Sequence, residues 1–256
     1  MPVSNVMSIK AITFDVWGTI LPVEPAIKVV ADVLTKALGG RIQWSSIYSF
    51  VQEERRALKL ARRERQEFIP PTYNLYRIKR KLRERGVAAD FDVYEVQNMV
   101  DQAVSSLDIK PHEDAVEALR TAKDDGYKIG VISNILLWRS KATRELLSRL
   151  ELADLLDAQI YADDVGSVKP SPRIFEMALT VLVGDMIPDV YVHVGDDFYE
   201  DFIGALMADY QAVLVDRDGR YVKKDYHEAI PCRAYIVRDL KTLGLITHQI
   251  ESCVAR

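Results

Sequence analysis

The sequence predicts an α/β protein with a Rossmann-like parallel sheet core and an all-helical unit inserted after the first strand. Along most of the chain, short apolar runs rich in β-branched residues alternate with amphipathic helical patterns. This alternation is typical of βαβ units, whose strands lie parallel between helices. Between residues 24 and 108 it stops, and helical patterns follow one another. We therefore expect a core of residues 1–23 and 109–256 and an inserted helical unit of residues 24–108.

The core elements are predicted from apolar runs that end at a polar residue or a turn. The first strand ends at Asp15 and is followed by a turn at Gly18 and Thr19. The later predicted elements are helix 114–124, strand 128–134, helix 140–150, strand 158–162, helix 172–183, strand 190–196, helix 199–208, strands 211–215 and 234–237, and a short C-terminal helix.

The helical unit is divided by glycine and proline pairs that interrupt its helical patterns. Its predicted helices are 26–38, 44–67, 72–85 and 90–107. Residues 53–67 form a marked charge run, which we interpret first as a solvated helix face with i,i+4 pairs. The alternative is a surface that attracts a phosphorylated substrate or partner.

Composition excludes several classes of protein. Hydrophobic residues make up 48% and charged residues 28% of the 256, an ordinary globular mixture. No run approaches the roughly 18 apolar residues that cross a membrane. The net charge of −4 does not indicate a nucleic-acid-binding surface. The first ten residues lack the apolar core of a secretory leader, so we expect a cytoplasmic protein. Cys232 and Cys253 are far apart in sequence, which predicts no disulfide or zinc site.

Polar residues follow the predicted strands at the edge where parallel sheets gather their chemistry. They are Asp15, Ser133, Asn134, Lys169, Asp196 and Asp197, with Asp201 about one helical turn further on. This set suits phosphoryl transfer. Asp15 would attack phosphorus, and Asp15 and Asp196 would share one Mg²⁺, which prefers oxygen ligands. Lys169 and the Ser133 hydroxyl would hold the phosphoryl oxygens. His193 lies within a buried strand and is interpreted as a packed core residue.

The same residues resemble the four ordered motifs of the haloacid dehalogenase superfamily. Residues 14–19 (FDVWGT) are similar to its first motif and residues 131–134 (VISN) to its second. Residues 169–175 (KPSPRIF) match the third, and residues 193–197 (HVGDD), with Asp201 and the pair 204–205, match the fourth. The resemblance spans nearly the whole predicted core.

The resemblance implies a hydrolase whose helical unit is a cap that closes over the site and selects small, phosphorylated substrates. It implies that Asp15 is the nucleophile, and that Asp15, Asp196 and the backbone carbonyl of Trp17 bind the metal. Thr19, Ser133 and Asn134 would position the substrate, with the Trp17 side chain at the pocket, and Lys169 would neutralise the transferring group. Asp201 and Asp197 would support these residues without binding the metal directly.

The chain departs from the family's phosphatases at Trp17. They typically carry a second aspartate there as general acid, and an indole N–H is only a hydrogen-bond donor. The family's 2-haloacid dehalogenases also lack that acid and need no metal, so dehalogenation stays open, with Arg41 as a candidate for holding the substrate carboxylate. Asp196 favours the phosphatase, since a second carboxylate beside Asp15 calls for a cation. A third hypothesis is a catalytically weak binding protein.

Overall fold

A computed structural model describes residues 9–254 and confirms the predicted α/β class. Seven strands form one sheet in the order β3-β2-β1-β4-β5-β7-β6. Their bounds are β1 Lys10–Phe14, β2 Lys128–Ser133, β3 Ala158–Tyr161, β4 Val190–Gly195, β5 Gln211–Val215, β6 Tyr226–Ile230 and β7 Ala234–Val237. Each neighbouring pair runs parallel except β6 with β7. The residues of β1, β2 and β4 are almost all buried, as expected for strands covered on both faces.

Ten α-helices accompany the sheet in the described part of the chain. They are α1 Glu24–Ala37, α2 Trp44–Arg65, α3 Pro71–Glu84, α4 Val93–Ser105, α5 Glu113–Asp124, α6 Ser140–Arg149, α7 Ala162–Val165, α8 Pro172–Val183, α9 Gly204–Met207 and α10 Leu243–Val254. A π-helix, Phe198–Ile203, precedes α9. Helix α8 packs against β2 and β3, and α5 packs against α10.

Helices α1–α4 lie between β1 and β2 in the chain, where the sequence predicts the helical unit. Helix α1 packs against α2 and α4, α3 packs against α4, and α4 also contacts α6 of the core. The buried face of α1 carries Ile27, Val30 and Leu34, at the helical spacing that brings them to one side. Helix α4 begins three residues later than predicted because the Asp92 carboxylate caps its first turn, accepting hydrogen bonds from the backbone of Tyr94 and Glu95.

Three features differ from the sequence predictions. Strand β6 is not predicted, because four of its five residues are exposed and it has no apolar run. Residues 198–203 form a π-helix where an α-helix is expected. The prediction for the cysteines is wrong: Cys232 and Cys253 form a disulfide. The turn after β6 and the end of α10 fold back on each other and bring the two Cα atoms to 5.9 Å, which a separation of 21 residues does not reveal.

No helix between residues 9 and 254 combines the length and apolar character that crossing a membrane requires. The prediction made from the first ten residues falls largely on positions 1–8, outside the described residues.

Candidate active site

The candidate site lies at the carboxyl ends of the central strands. From β1 the chain continues to β2 and β3 on one side of the sheet and returns to β4 and β5 on the other. The reversal between β1 and β4 opens a crevice, the usual ligand site of such sheets. Asp15 follows β1 and Asp196 follows β4, so the topology places both at this crevice.

A buried lysine joins two carboxylates at the centre of the site. The Nζ atom of Lys169 lies 2.7 Å from Oδ1 of Asp15 and 2.6 Å from Oδ1 of Asp201. It also donates to the carbonyl of Ile132 at 2.6 Å. These contacts use the three N–H groups of the ammonium. The chain therefore holds Lys169 in one position, against the Asp15 oxygen that also accepts a 3.4 Å hydrogen bond from Ser133.

The charges of this cluster shift one another's pKa values. Burial raises the pKa of Asp15 to about 6, despite the nearby Lys169 charge. Burial alone would lower the pKa of Lys169, but the charges of Asp15 and Asp201 outweigh it and raise the pKa above its ordinary value. Burial would likewise raise the pKa of Asp201, but Lys169 and the hydrogen bond with His193 hold it low. Each charge of the Lys169–Asp201 pair thus favours the charged form of the other, whereas burial favours the protonated form of Asp15.

Asp196 completes a group of three carboxylates. One oxygen each of Asp15, Asp196 and Asp201 lie within 4.8 Å of one another. Burial and the charges of Asp15 and Asp201 raise the pKa of Asp196 to about 7. Its side chain nevertheless remains accessible, because it faces the cavities described below. The three carboxylates together offer the hard oxygen ligands that a divalent cation prefers.

The turn after β1 brings two further predicted residues to Asp196. The hydroxyl of Thr19 donates to Oδ1 of Asp196 at 3.4 Å. Gly18 has a φ of +111° and lies so close that a Cβ atom there would come within 2.5 Å of the Asp196 carboxylate. Glycine is therefore required here both by the backbone conformation and by the space.

Trp17 and Asn134 line a small cavity with Asp15, but both are held by protein contacts. The Trp17 indole packs edge-on against Trp138 and donates to the hydroxyl of Thr143 at 3.2 Å. The Asn134 amide accepts from the backbone of Lys169 at 2.9 Å and donates to its carbonyl at 3.0 Å. Asn134 therefore positions the lysine loop, and Trp17 forms an aromatic wall. Their predicted roles toward substrate and metal stay predictions.

Asp197 connects the core to the helical unit. One carboxylate oxygen caps the π-helix by accepting from the backbone of Tyr199 and Glu200. The other oxygen pairs with Lys59 at 2.6 Å and with Arg63, both on α2. Its backbone N–H donates to Asp201 at 2.9 Å. Asp197 thus both contacts α2 and positions the Asp201 carboxylate.

Sequence reasoning missed the buried pair Arg62–Glu200. The Arg62 guanidinium, from α2, makes a two-pronged contact with the Glu200 carboxylate at 2.8 and 2.9 Å, and both side chains are buried. The interpretation of the charge run as a solvated face is therefore wrong at Arg62. The available signal was the spacing of Arg55, Lys59 and Arg62, at i, i+4 and i+7, which places them on one helix face.

Two adjacent cavities adjoin the site. The small cavity, about 60 Å³, contains Asp15, and the large cavity, about 520 Å³, opens beside it. Arg55, Lys59, Asp196 and Asp197 line both. Arg41 lines neither: it is exposed and borders a separate groove with Leu38, Ile42 and residues 86–88. The suggestion that Arg41 holds a substrate carboxylate is therefore wrong.

His193 is a packed core residue, as interpreted from the sequence. Its ring is buried, with Nδ1 2.9 Å from the Thr13 hydroxyl and Nε2 3.3 Å from Asp201. Burial lowers the pKa of His193 to about 4, so the ring is neutral at pH 7. It contacts Asp201 without lining either cavity.

An open parallel sheet with charged groups gathered at its switch point defines an α/β enzyme. A family model described as haloacid dehalogenase-like hydrolase matches residues 9–209, and the chain belongs to that family. This confirms the resemblance drawn from the four motifs.

Individual relatives agree with the family. The chain is 33% identical over 138 residues to the glyceraldehyde 3-phosphate phosphatase of Methanothermobacter thermautotrophicus, covering 53% of this chain and 58% of that protein. A crystal structure of a HAD phosphatase from Thermococcus onnurineus is 25% identical, with a TM-score of 0.61 over 93% of this chain and 98% of that one. A 2-haloacid dehalogenase structure from Pseudomonas syringae, 22% identical, shares the fold with a TM-score of 0.62 over 94% of this chain and 99% of that one.

Proposed function

We propose that this protein is a Mg²⁺-dependent phosphatase that acts on a small phosphorylated metabolite through an aspartyl-phosphate on Asp15. The observation that carries the proposal is the group of three carboxylates, Asp15, Asp196 and Asp201, of which Asp15 and Asp201 contact Lys169. Expulsion of a halide by Asp15 would need no cation, and a second accessible carboxylate beside it would only blunt the nucleophile. A phosphatase that binds a cation would use that second carboxylate, Asp196, as a metal ligand.

The residues present fit a magnesium ion. Asp15 and Asp196 would hold it, with the backbone carbonyl of Trp17 as the third protein ligand, and Asp201 is the further carboxylate within reach. The placement of Gly18 against Asp196 supports the use of the adjoining Trp17 carbonyl. When bound, the ion offsets the repulsion between the anionic nucleophile and an anionic phosphate.

The chain's own residues account for the two chemical steps. In the first, Oδ2 of Asp15 attacks phosphorus, the bond to the leaving oxygen breaks, and a basic leaving oxygen takes its proton from solvent water in the cavity. Oδ2 is the free atom, since the contacts of Asp15 with Lys169 and Ser133 both use Oδ1. In the second, water attacks the same phosphorus, the bond to Asp15 breaks, and phosphate is released. Lys169 and Ser133 remain beside the reacting centre, where they stabilise the negative charge of the phosphoryl oxygens.

We infer that residues 24–108 act as the cap. Arg55, Lys59 and Arg62 of α2 line the small cavity together with Asp15, so this unit forms part of the wall around the nucleophile. Its ion pairs with Asp197 and Glu200 support a closed arrangement. A cavity of this size suits a small metabolite, and the name of the Methanothermobacter relative specifies a phosphorylated sugar substrate.

The direct test compares two substrates with and without metal. p-Nitrophenyl phosphate is a suitable probe, because its leaving group departs without protonation and Trp17 cannot act as a general acid. We expect phosphate release with Mg²⁺, loss of release with EDTA, restoration by added Mg²⁺, and no chloride release from 2-chloropropionate. Chloride release that EDTA does not affect would instead establish the dehalogenase. A folded protein active on neither substrate would support the binding protein.

Replacement of Gly18 by alanine tests the metal site. Its Cβ atom would displace the Asp196 carboxylate, so we expect Mg²⁺ affinity to fall about 10- to 100-fold. The positive φ adds a loss of unfolding free energy of about 1–3 kcal/mol. Calorimetric titration with Mg²⁺ and urea unfolding measure the two effects separately.

Gly126→Ala is the matched control for that experiment. Gly126 also has a positive φ, +81°, but a Cβ atom there would meet nothing within 4 Å. This variant should show the backbone cost without a change in Mg²⁺ affinity. Equal Mg²⁺ binding by wild-type and Gly18→Ala protein would contradict the proposed role of Asp196.

A further inference from the structure

Arg55 lines both cavities, and no carboxylate among residues 9–254 forms an ion pair with its guanidinium group. Every other basic side chain lining them pairs with a carboxylate. These pairs are Lys59 with Asp197, Arg62 with Glu200, Arg63 with Asp197, Arg217 with Asp114 and Arg220 with Asp218. Within residues 9–254, Arg55 makes no ion pair or side-chain hydrogen bond.

Without a bound ligand, the partly buried position of Arg55 is unfavourable for its positive charge. The side chain is only partly exposed. Burial lowers the pKa of the Arg55 guanidinium and the Arg62 charge adds to this effect, whereas the charges of Asp196, Glu24 and Glu200 act in the opposite direction. A cation withdrawn from water is stabilised when an anion contacts it. The nearby carboxylates influence the pKa of Arg55 but form no ion pair with it. We therefore expect the anion that contacts Arg55 to belong to a ligand bound in the cavity.

The position of Arg55 relative to Asp15 determines which part of a substrate it meets. The small cavity holds the nucleophile and is large enough only for the reacting group, and the large cavity is the space left for the remainder. Arg55 borders both, so a substrate that reaches from Asp15 into the large cavity passes its guanidinium. The transferring phosphoryl group already has Lys169 beside Asp15.

We propose that Arg55 binds a second anionic group, a carboxylate or a second phosphate, on the part of the substrate that is not transferred. This inference rests on the proposed phosphatase function and narrows its substrate class to metabolites with two anionic groups. Both kinds of group match the planar fork of a guanidinium, which can donate two parallel hydrogen bonds to either.

Binding of non-hydrolysable phosphonates tests the proposal without relying on turnover. Propylphosphonate, 3-phosphonopropionate and 1,2-ethylenediphosphonate share a spacer of two methylene groups and differ in the distal group: methyl, carboxylate or phosphonate. In calorimetric titrations with Mg²⁺ present, we expect the wild-type protein to bind at least one ligand with a distal anionic group about tenfold or more tightly than propylphosphonate. The stronger of the two identifies the distal group.

Arg55→Gln should remove this preference while leaving the affinity for propylphosphonate within about twofold of wild type. The control is Arg56→Gln, which changes the exposed neighbour on the same helix and should retain the preference. Equal binding of the three ligands by wild type would overturn the proposal. So would an Arg55→Gln variant that weakens all three alike, which would assign Arg55 to the transferring phosphate.

Hydrolysis of p-nitrophenyl phosphate by the same preparations separates this proposal from the function on which it rests. Mg²⁺-dependent hydrolysis without discrimination among the phosphonates would overturn the role of Arg55 and leave the phosphatase standing. A folded wild-type protein that neither hydrolyses the ester nor binds any phosphonate would overturn both.

Discussion

Replacing Asp15 by asparagine is expected to reduce Mg²⁺-dependent phosphate release by a factor of about 10⁴ or more. The amide is nearly the same size but lacks the anionic oxygen that attacks phosphorus. It also removes one of the carboxylates proposed to bind magnesium. Initial rates with p-nitrophenyl phosphate measure the effect, and mass spectrometry of the quenched wild-type reaction should show an added phosphoryl group on the peptide that contains Asp15.

The matched control is Asp154→Asn, because Asp154 is an exposed aspartate on the surface of the core. It should keep the wild-type rate. Circular dichroism should show both variants folded, since Asp15→Asn removes a buried charge and leaves Lys169 paired with Asp201. An Asp15→Asn variant with more than a few per cent of wild-type activity would exclude Asp15 as the nucleophile.

Replacing Lys169 by methionine should abolish activity and also destabilise the fold by about 3–5 kcal/mol. The substitution leaves Asp15 and Asp201 buried without the cation that contacts both. The side chain is almost fully buried, so water cannot take the place of the ammonium. Urea unfolding in the presence of EDTA measures the loss of unfolding free energy, and added Mg²⁺ should recover part of it by supplying positive charge.

The double variant Lys169→Met/Asp201→Asn distinguishes charge imbalance from lost packing. Removing one of the unpaired carboxylates should restore part of the stability that Lys169→Met loses, without restoring phosphate release. A double variant less stable than Lys169→Met would show that packing of the lysine stem, and not its charge, accounts for the loss. Full activity in Lys169→Met would refute the role of Lys169 in the reaction.

The strands that are predicted correctly are those whose burial in the sheet is reflected in a clear apolar run in the sequence. Strands β5 and β7 lie at their predicted positions, because each is a short apolar run that is buried in the sheet. Strand β6 runs along the edge with mostly exposed residues, so its pairing with β7 depends on tertiary structure alone. The disulfide escapes prediction for a similar reason: it joins two segments that only the folded chain brings together.

Part of the candidate site could likewise be predicted from the sequence, and part of it could not. Asp15, Ser133 and Lys169 lie at or beyond the carboxyl ends of parallel strands in one sheet, so their meeting follows from the topology. The ion-pair partners of α2 could not be predicted in this way, because the sequence does not specify how the helical unit packs on the core. Arg62 and Glu200 are separated by 138 positions in the chain, and their pairing is visible only in the folded structure.

The segment that follows β4 contributes both to the carboxylate group and to the contacts with α2. Residues 196–201 supply Asp196 and Asp201 to the carboxylate group, and they also supply Asp197 and Glu200 to the basic face of α2. Any swing of α2 away from the core to admit a substrate must separate these ion pairs, and it releases the same loop that fixes the catalytic carboxylates. Separation of α2 from the core would therefore disturb the catalytic carboxylates as well, and because the Arg62–Glu200 pair is buried, salt would weaken it less than it weakens an exposed pair.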